Sequence, residues 1–385
     1  MNHPSFRRLL FVSMIVTMLV IFSMIDNDKQ PFQVKLLASF SSEVNKVSAS
    51  PSLNIESKTP KTTRQIRIKK MNFLGKIEPG KKYAVFSAAF GTKNALNYAF
   101  DLPLTALAWK RIGYESLVLL IGSIQQWTSS EPFNQILSYL REKASVVVFF
   151  EAEPQNAVML SQVLRLFVAN FIPELSNLGV DDVYLVTSDA DLWPLQKEYY
   201  DLSINKSVLS TNSDCCGTFK HNDQAYKMLP MANIGMKVKK WLKVTKRHNF
   251  SPRSVDEVLD YFSREFGSLA REAVVKGEND GWYMDQRMIS ILISEWDMKF
   301  RDSGVQYVPR NTRLDRIDRI NWKVTSLQGK LDAHILGNIY DTKQWTRMIP
   351  LLELMYGHKS VEFKWCTQYA KDIQLSLDSK KNVKT

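Results

Sequence analysis

Four short apolar runs alternate with helical patterns between residues 83 and 187, and this alternation constrains the fold more than any other feature of the sequence. The runs predict buried strands at Tyr83–Ala88, Glu115–Ile121, Ser145–Phe150 and Val183–Thr187. The intervening patterns predict helices at Leu102–Arg111, Phe133–Lys143 and Met159–Leu175. Strands that alternate with helices form βαβ units and a parallel sheet. The predicted fold class is therefore α/β, a mostly parallel sheet flanked by helices, with a ligand site beyond the carboxyl ends of its strands.

The chain is long and apolar enough to bury a sizeable core. Of its 385 residues 45% are hydrophobic and 23% are charged, which excludes a mostly disordered chain, a collagen-like chain and a disulfide-dense mini-protein. Most of the net charge of +12 lies in the segment Lys58–Lys82, which holds nine basic residues and one acidic residue. Because this segment is also rich in Ser, Thr and Pro, it is typical of a solvated linker, and we expect no nucleic-acid partner.

The N-terminal segment Leu9–Ile25 has 17 residues and no charge, which is at the short end of the length that spans a bilayer. Arg7 and Arg8 precede it, and positive charge on that side favours a cytosolic N-terminus. A cleaved signal peptide is the alternative, but no cleavage site of small residues follows the apolar stretch. The sequence thus predicts a single-pass type II membrane protein with a cytoplasmic tail 1–8, an anchor 9–25, a basic stem 26–82, a luminal domain 83–360 and a C-terminal tail 361–385.

Two sequons and three cysteines agree with a luminal location. Asn205 and Asn249 each begin an Asn-X-Ser triplet, which predicts glycosylation, although a proline after the second triplet weakens it. In an oxidising lumen one pair of cysteines bridges and leaves one thiol, and pairing of Cys366 with either Cys215 or Cys216 stays open. The adjacent cysteines lack the spacing of a zinc site, so we predict no metal there.

Two carboxylates directly follow the fourth predicted strand. Asp189 and Asp191 stand two residues apart, where a parallel sheet places its ligand crevice. Hard divalent cations such as Mg²⁺ and Mn²⁺ take oxygen ligands, and such an ion neutralises the charge of a departing nucleoside diphosphate. The triplet alone is also compatible with a solvated turn. Its position after a fourth parallel strand favours a metal and nucleotide site.

From this point the chain resembles the metal-dependent nucleotide-sugar glycosyltransferases of the GT-A fold. The order of anchor, stem and catalytic domain is similar to that of type II transferases of the Golgi membrane. Further motifs are most similar to the retaining branch that contains glycogenin and bacterial galactosyltransferases. The resemblance covers roughly Tyr83 to Tyr356, with a nucleotide-binding half at 83–193 and an acceptor half at 194–360. It implies a nucleotide-sugar donor, a glycan, glycoprotein or glycolipid acceptor, and a luminal site.

The resemblance assigns roles to residues at matching positions. His334, in LDAHILG, matches the late histidine of the family, so the implied ligands of Mn²⁺ (or Mg²⁺) are Asp189, Asp191 and His334. Asp285 and Gln286, in GWYMDQ, match the pair beside the reacting carbon and are the implied catalytic residues. The implied nucleotide-sugar-binding residues are Phe90, Gly91, Thr92, Arg165, Ser188, Ala190, Asn233, Gly235, Gly337 and Lys343.

Several alternatives stay open at this point. Asn233 and Gly235 also suit a turn, Asp285 also suits the start of a helix, and a lone His334 also suits a packed core. If the transferase inverts the anomeric configuration, a general base is needed, for which the candidates are Glu278, Asp280 and Asp285. Aromatic faces for an acceptor sugar, or else core packing, are predicted for Trp282, Tyr283 and Trp296. Two rivals are an inactive sugar-binding or nucleotide-binding module and a module that docks anionic glycans through Lys58–Lys82.

Overall fold

The computed structural model of the chain describes residues 72–175, 182–246, 252–272, 280–300, 304–310 and 315–382. The predicted cytoplasmic tail, the predicted anchor and residues 26–71 of the predicted stem lie outside these ranges. Among the residues inside them, no helix combines the length and the apolar character needed to cross a membrane.

Helices and strands alternate through the first half of the described chain and become less regular after it. The strands are β1 (Asn72–Gly75), β2 (Lys82–Ala89), β3 (Glu115–Ile121), β4 (Val146–Phe150), β5 (Tyr184–Thr187), β6 (Leu192–Pro194), β7 (Val208–Thr211), β8 (Thr218–His221), β9 (Gln224–Lys227), β10 (Ile234–Lys237), β11 (Val305–Val308), β12 (Arg316–Asp318) and β13 (Asp332–His334). The α-helices are α1 (Ala95–Arg111), α2 (Ile124–Thr128), α3 (Phe133–Lys143), α4 (Pro154–Leu175), α5 (Val238–Val244), α6 (Val255–Phe266), α7 (Met284–Lys299), α8 (Thr342–Tyr356) and α9 (Val361–Asn382).

The main sheet has eight strands in the order β1-β4-β3-β2-β5-β10-β7-β11. The junctions β4-β3, β3-β2, β2-β5 and β7-β11 are parallel, and the other three are antiparallel. This confirms the predicted α/β class with a mostly parallel sheet. The edge strand β1 pairs with β4 but lies inside the segment predicted as stem, so the sheet begins earlier than the predicted boundary at residue 83.

Helices cover both faces of the sheet. Successive side chains of a strand point to opposite faces, so each central strand packs against helices on both sides. In β2, Tyr83 and Val85 pack with α4 to α7, whereas Ala84 and Phe86 pack with α1, α3, α8 and α9. All these side chains are almost fully buried. Full burial of an aliphatic or phenylalanine side chain contributes about 1.5–3 kcal/mol, so the two apolar layers fix the position of the strand ends.

The four predicted strands and three predicted helices are confirmed, with differences at their ends. Helix α1 begins at Ala95 instead of Leu102, and Pro103 lies inside it. A proline disfavours a helix interior because its ring removes one hydrogen bond. Here the near-complete burial of α1 from Ala99 to Trp109 outweighs that cost.

The C-terminal segment is a packed helix, and its prediction as a tail is wrong. The apolar side chains of α9 recur at helical spacing and are buried against α1 and α3, as Phe363, Cys366, Tyr369 and Ile373 demonstrate. The Tyr369 hydroxyl donates a hydrogen bond of 2.8 Å to the Phe100 carbonyl in α1. The Lys-rich composition of the last turns concealed this periodicity in the sequence.

The cysteines pair differently from either alternative that includes Cys366. A disulfide joins the neighbours Cys215 and Cys216. Cys366 is a buried free thiol in α9, and burial raises its pKa to about 12. The helical packing of α9 therefore uses Cys366 as a small apolar side chain.

A second, three-stranded sheet positions the candidate site. Its order is β12-β13-β6, with β13 antiparallel to β6 and parallel to β12. Because β6 directly follows the Asp189–Asp191 turn, this small sheet carries the late part of the chain back to the carboxyl end of β5.

Candidate active site

Strand β5 carries Asp189 and Asp191 to the carboxyl edge of the main sheet. The Ser188 amide donates to the Val85 carbonyl at 2.8 Å, which holds the end of β5 beside β2. The chain then turns, and the Leu192 amide donates to the Asp189 carbonyl at 3.2 Å. The turn directs the two carboxylates differently, since the Asp189 side chain is 44% exposed and that of Asp191 is nearly buried.

Strand β13 brings His334 against Asp191. In the register of β6 with β13, Leu192 stands opposite His334, and the Ile335 amide donates to the Asp191 carbonyl at 3.0 Å. The His334 Nε2 atom consequently lies 3.5 Å from Asp191 Oδ2. Two of the three predicted metal ligands are therefore neighbours, although they are far apart in sequence.

The carboxyl group of Asp191 is held in its charged form. Burial alone would raise its pKa, but the hydrogen bond and charge of His334 and the charge of Arg319 outweigh burial and lower the pKa below its ordinary value. Asp191 thus offers a negative charge to the cavity over the physiological pH range.

Arg319 joins the same cluster and was not among the predicted site residues. Its NH1 atom lies 3.1 Å from Asp191 Oδ2, and its NH2 atom contacts His334 Nε2. It follows directly after β12, whose last residue Asp318 stands opposite His334 in the sheet. Sequence reasoning missed it because an arginine in RLDRIDRINW is indistinguishable from a solvated surface charge.

A buried arginine connects the third predicted ligand to the predicted catalytic pair. Arg165, on α4, is 6% exposed, and its guanidinium donates to Asp189 Oδ1 at 2.7 Å and to Asp285 Oδ2 at 2.8 Å. It also donates to the Ser188 carbonyl at 2.7 Å. Although burial favours the neutral form, the two carboxylates raise the pKa of Arg165 above its ordinary value. The predicted residues Arg165, Asp189 and Asp285 therefore form one network.

Asp285 stands in the first turn of α7 and has a strongly shifted pKa. Its side chain is 3% exposed, and the Gln286 amide donates to Asp285 Oδ1 at 2.7 Å. Burial raises the pKa of Asp285 to about 6, the negative charge of Asp189 adds to this, and the positive charge of Arg165 opposes it. A carboxyl group with such a pKa is typical of a functional site.

Both clusters line one cavity of about 490 Å³ at the carboxyl edge of the sheet. The predicted site residues in its lining are Thr92, Arg165, Asp189, Ala190, Asp191, Asp285, Gln286 and His334. Tyr98 also lines it, and burial together with the charges of Asp191 and Asp189 raises the pKa of its phenol. Tyr98 was missed because the sequence placed the start of α1 after it.

Other predicted binding residues lie outside this lining. The ring of Phe90 packs on Phe133 and Trp127, with ring centres 4.9 Å and 5.8 Å away. Phe90 is therefore a core contact, and its neighbour Gly91 has a positive φ of 76°, which suits the turn after β2. Ser188 is fully buried beneath the cavity and acts through its carbonyl, which accepts from Arg165.

Asn233 and Gly235 have structural roles in and next to β10. Gly235 pairs with Val186 and Leu209, and a Cβ atom there would overlap the hydroxyl of Tyr184. Asn233 is buried in the turn before β10 and has a positive φ of 124°, in agreement with the turn alternative, whereas Gly235 lies in the strand itself. Met231 in the same segment does line the cavity.

The remaining predicted residues are spread over the surface or lie outside the described ranges. Gly337 and Lys343 are exposed and do not line the cavity. Asn205 is exposed in a turn, which is compatible with glycosylation, whereas the Asn249 sequon and Glu278 lie outside the described residues. Trp296 packs on Phe300 and on the ammonium group of Lys240 rather than in the cavity.

Asp189, Asp191 and His334 are residue types that bind divalent cations. Two carboxylates and an imidazole line one cavity, and the guanidinium of Arg319 already contacts both Asp191 and His334. Within the described ranges no three His, Cys, Asp or Glu side chains form a metal group in the present arrangement. Asp189 faces Arg165 instead, so a cation held by all three predicted ligands requires side-chain rotations.

No protein-family model and no curated protein matches the sequence. Among solved structures, the chain is matched to the crystal structure of a glycosyltransferase involved in the glycosylation of the major capsid of PBCV-1. The two chains are 11% identical, the match covers 69% of this chain and 96% of that chain, and the TM-score is 0.28. A match at this level assigns no donor, metal or mechanism to this chain.

Proposed function

We propose that this chain is a glycosyltransferase that moves a sugar from a nucleotide-diphosphate sugar to a hydroxyl group of a glycan, glycoprotein or glycolipid. One observation carries the proposal: a single cavity contains both the Asp191–His334 pair and the two carboxylates that Arg165 holds. A UDP-sugar is the first donor to test. The proposed setting is a Golgi membrane with this domain in the lumen, which rests on the N-terminal sequence alone.

The charges of the cavity favour a cation that accompanies the donor. Its charged lining residues are Lys93, Arg165, Arg319, Asp189, Asp191 and Asp285. These three cations and three carboxylates balance, so a diphosphate that enters brings uncompensated negative charge. When bound, Mn²⁺ or Mg²⁺ on Asp189, Asp191 and His334 would supply that charge and act as a Lewis acid for the departing nucleoside diphosphate.

Arg165 gives the catalytic end of the cavity its geometry. It donates to Asp189 and to Asp285 through separate nitrogens, so one guanidinium links the two carboxylates in the present arrangement. With a pKa of about 6, Asp285 is mostly ionised at pH 7. In the proposed retaining reaction Asp285 and Gln286 line the donor sugar, and the carboxylate stabilises positive charge that develops at its anomeric carbon.

Aromatic side chains in the lining of the cavity suit the acceptor. Trp282 is half-buried, Tyr283 is exposed, and both line the cavity directly before α7. Apolar faces of sugars pack on such rings. The acceptor hydroxyl is proposed to reach the anomeric carbon from this side.

The proposal is tested by a donor screen of the purified full-length chain with and without Mn²⁺, in which mass spectrometry detects transfer to an acceptor panel. Asp191→Asn is expected to keep the fold and lose at least about a hundredfold in kcat/KM, as is typical for loss of a charge-stabilising group. Asp260→Asn is the matched control, because Asp260 is an exposed carboxylate that pairs with Arg271 away from the cavity. Full activity of Asp191→Asn would refute the site, and donor binding without turnover would favour the inactive binding module.

One feature favours the inverting alternative. A carboxyl group whose pKa is about 6 also suits a general base, which an inverting transferase needs on the acceptor hydroxyl. The pairing of Asp285 with Arg165 opposes that role, because the carboxylate is already engaged. Assignment of the product's anomeric configuration by NMR decides between the two, and a configuration opposite to that of the donor would eliminate retention.

A further inference from the structure

Arg319 contacts both of the groups, Asp191 and His334, that the proposed function assigns to a divalent cation. Its NH1 atom lies 3.1 Å from Asp191 Oδ2, while NH2 contacts His334 Nε2. These contacts place a permanent positive charge beside both the carboxylate and the imidazole. The chain thus supplies a cation of its own at this point of the cavity.

A metal ion and this guanidinium exclude one another from the shared position. A metal ion held by the Asp191 carboxylate and the His334 imidazole would occupy the side of both groups that Arg319 now contacts. Two cations so close together in a partly buried site also repel each other. Metal binding by Asp191 and His334 therefore requires that the side chain of Arg319 move.

The local structure allows the side chain to move while its backbone stays in place. The side chain is 32% exposed, which leaves room for another rotamer. The backbone is held by the pairing of Asp318 with His334 and by the Ile320 amide, which donates to Asp318 Oδ1 at 3.0 Å. A displaced guanidinium consequently remains at the cavity, where its planar donors match the oxygens of a diphosphate.

We propose that Arg319 is an exchangeable cation: it neutralises Asp191 in the metal-free site and contacts the diphosphate once a metal ion takes its place. This rests on the proposed function, since it assumes that a metal ion and a diphosphate share the cavity. One substitution then has two opposite effects. Loss of the guanidinium strengthens metal binding and weakens diphosphate binding.

The test is a Mn²⁺ titration of the full-length chain, in which EPR measures the free ion, followed by titration with inorganic pyrophosphate at saturating Mn²⁺. The proteins are the wild type, Arg319→Gln, Arg319→Lys and Arg347→Gln. Arg347 contacts the side chain of Gln344 on the exposed face of α8, so its substitution removes the same net charge outside the cavity. Circular dichroism compares the folds of the four proteins.

We expect Arg319→Gln to bind Mn²⁺ about tenfold more tightly than the wild type and Arg347→Gln, and to bind pyrophosphate about tenfold more weakly. Arg319→Lys keeps the charge and is expected to lie close to the wild type in Mn²⁺ affinity. Equal Mn²⁺ affinity of Arg319→Gln and Arg347→Gln, or unchanged pyrophosphate affinity of Arg319→Gln, would overturn the exchange and leave the proposed function standing. Lack of stoichiometric Mn²⁺ binding by all four proteins would overturn both the exchange and the metal part of the proposed function.

Discussion

The buried carboxylate of Asp285 is expected to destabilise the folded protein at neutral pH, and Asp285→Asn is expected to increase the free energy of unfolding. The carboxyl group is 3% exposed, and its pKa is raised from 3.8 to about 6 mainly by burial. The amide of asparagine keeps an oxygen that accepts from Arg165 but carries no charge. The variant therefore removes the cost of a buried ion without leaving the guanidinium unpaired, because Asp189 still binds it.

The sign and size of the effect follow from proton linkage. Between about pH 4 and pH 6 the folded protein keeps the proton of Asp285, while the unfolded chain has already lost it. The free energy of unfolding of the wild type consequently falls as pH rises through this interval, and Asp285→Asn lacks that contribution. The pKa of Asp285 in the wild type is 3.8 in the unfolded chain and about 6 in the folded protein. The free energy of unfolding of Asp285→Asn therefore rises by about 2 kcal/mol relative to that of the wild type between pH 4.5 and pH 7.

Urea unfolding of the full-length wild type and of Asp285→Asn at both pH values measures this difference. Asp260→Asn is the control, and substitution of this exposed carboxylate is expected to change stability by less than about 0.5 kcal/mol at either pH. Catalytic activity of Asp285→Asn is expected to fall while its stability rises, as is common at functional sites. A stability difference that stays constant with pH would refute the assignment of a raised pKa to Asp285.

Four further substitutions, one of them a control, test the packing and the buried ion pairs. Gly235→Ala is expected to lower the free energy of unfolding by about 1–3 kcal/mol, because its methyl group would overlap the hydroxyl of the buried Tyr184. Gly337→Ala is the control: no atom lies within 4 Å of a Cβ atom there, so thermal unfolding is expected to show no change. Tyr369→Ala is expected to cost about 3–5 kcal/mol, since α9 is part of the core, and a loss below about 1 kcal/mol in urea unfolding would indicate that α9 does not pack as described. Arg165→Met is expected to cost about 3–5 kcal/mol because it leaves Asp285 buried without its partner, and unchanged stability in urea unfolding would contradict the buried network.

The central strands were predictable because a strand covered on both faces is a nearly continuous apolar run. This pattern is seen in the sequences ESLVLLI of β3 and VVVFF of β4. Strands β12 and β13 have only three residues each and carry charged side chains, so no local pattern distinguishes them from loops. Their pairing depends on β6, which is distant in sequence.

The candidate site was predictable where a residue type is unusual for its position. Asp189 and Asp191 follow a buried strand, and His334 interrupts an apolar stretch, so each draws attention in the sequence. Arg319 could not be found in this way, because a charged residue in a polar segment has no distinctive local signature. The pairing of Asp189 with Arg165 was equally hidden, since it depends on how α4 packs beside β5.

Pulsed EPR of Mn²⁺ bound to the full-length chain tests the proposed binding of one divalent cation by Asp189, Asp191 and His334. An imidazole nitrogen that is bound to Mn²⁺ modulates the electron spin echo of the ion. We expect this ¹⁴N modulation in the wild type and its loss in His334→Gln, with weaker Mn²⁺ binding in Asp191→Asn. A wild-type spectrum without nitrogen coupling, or coupling that persists in His334→Gln, would contradict the metal site.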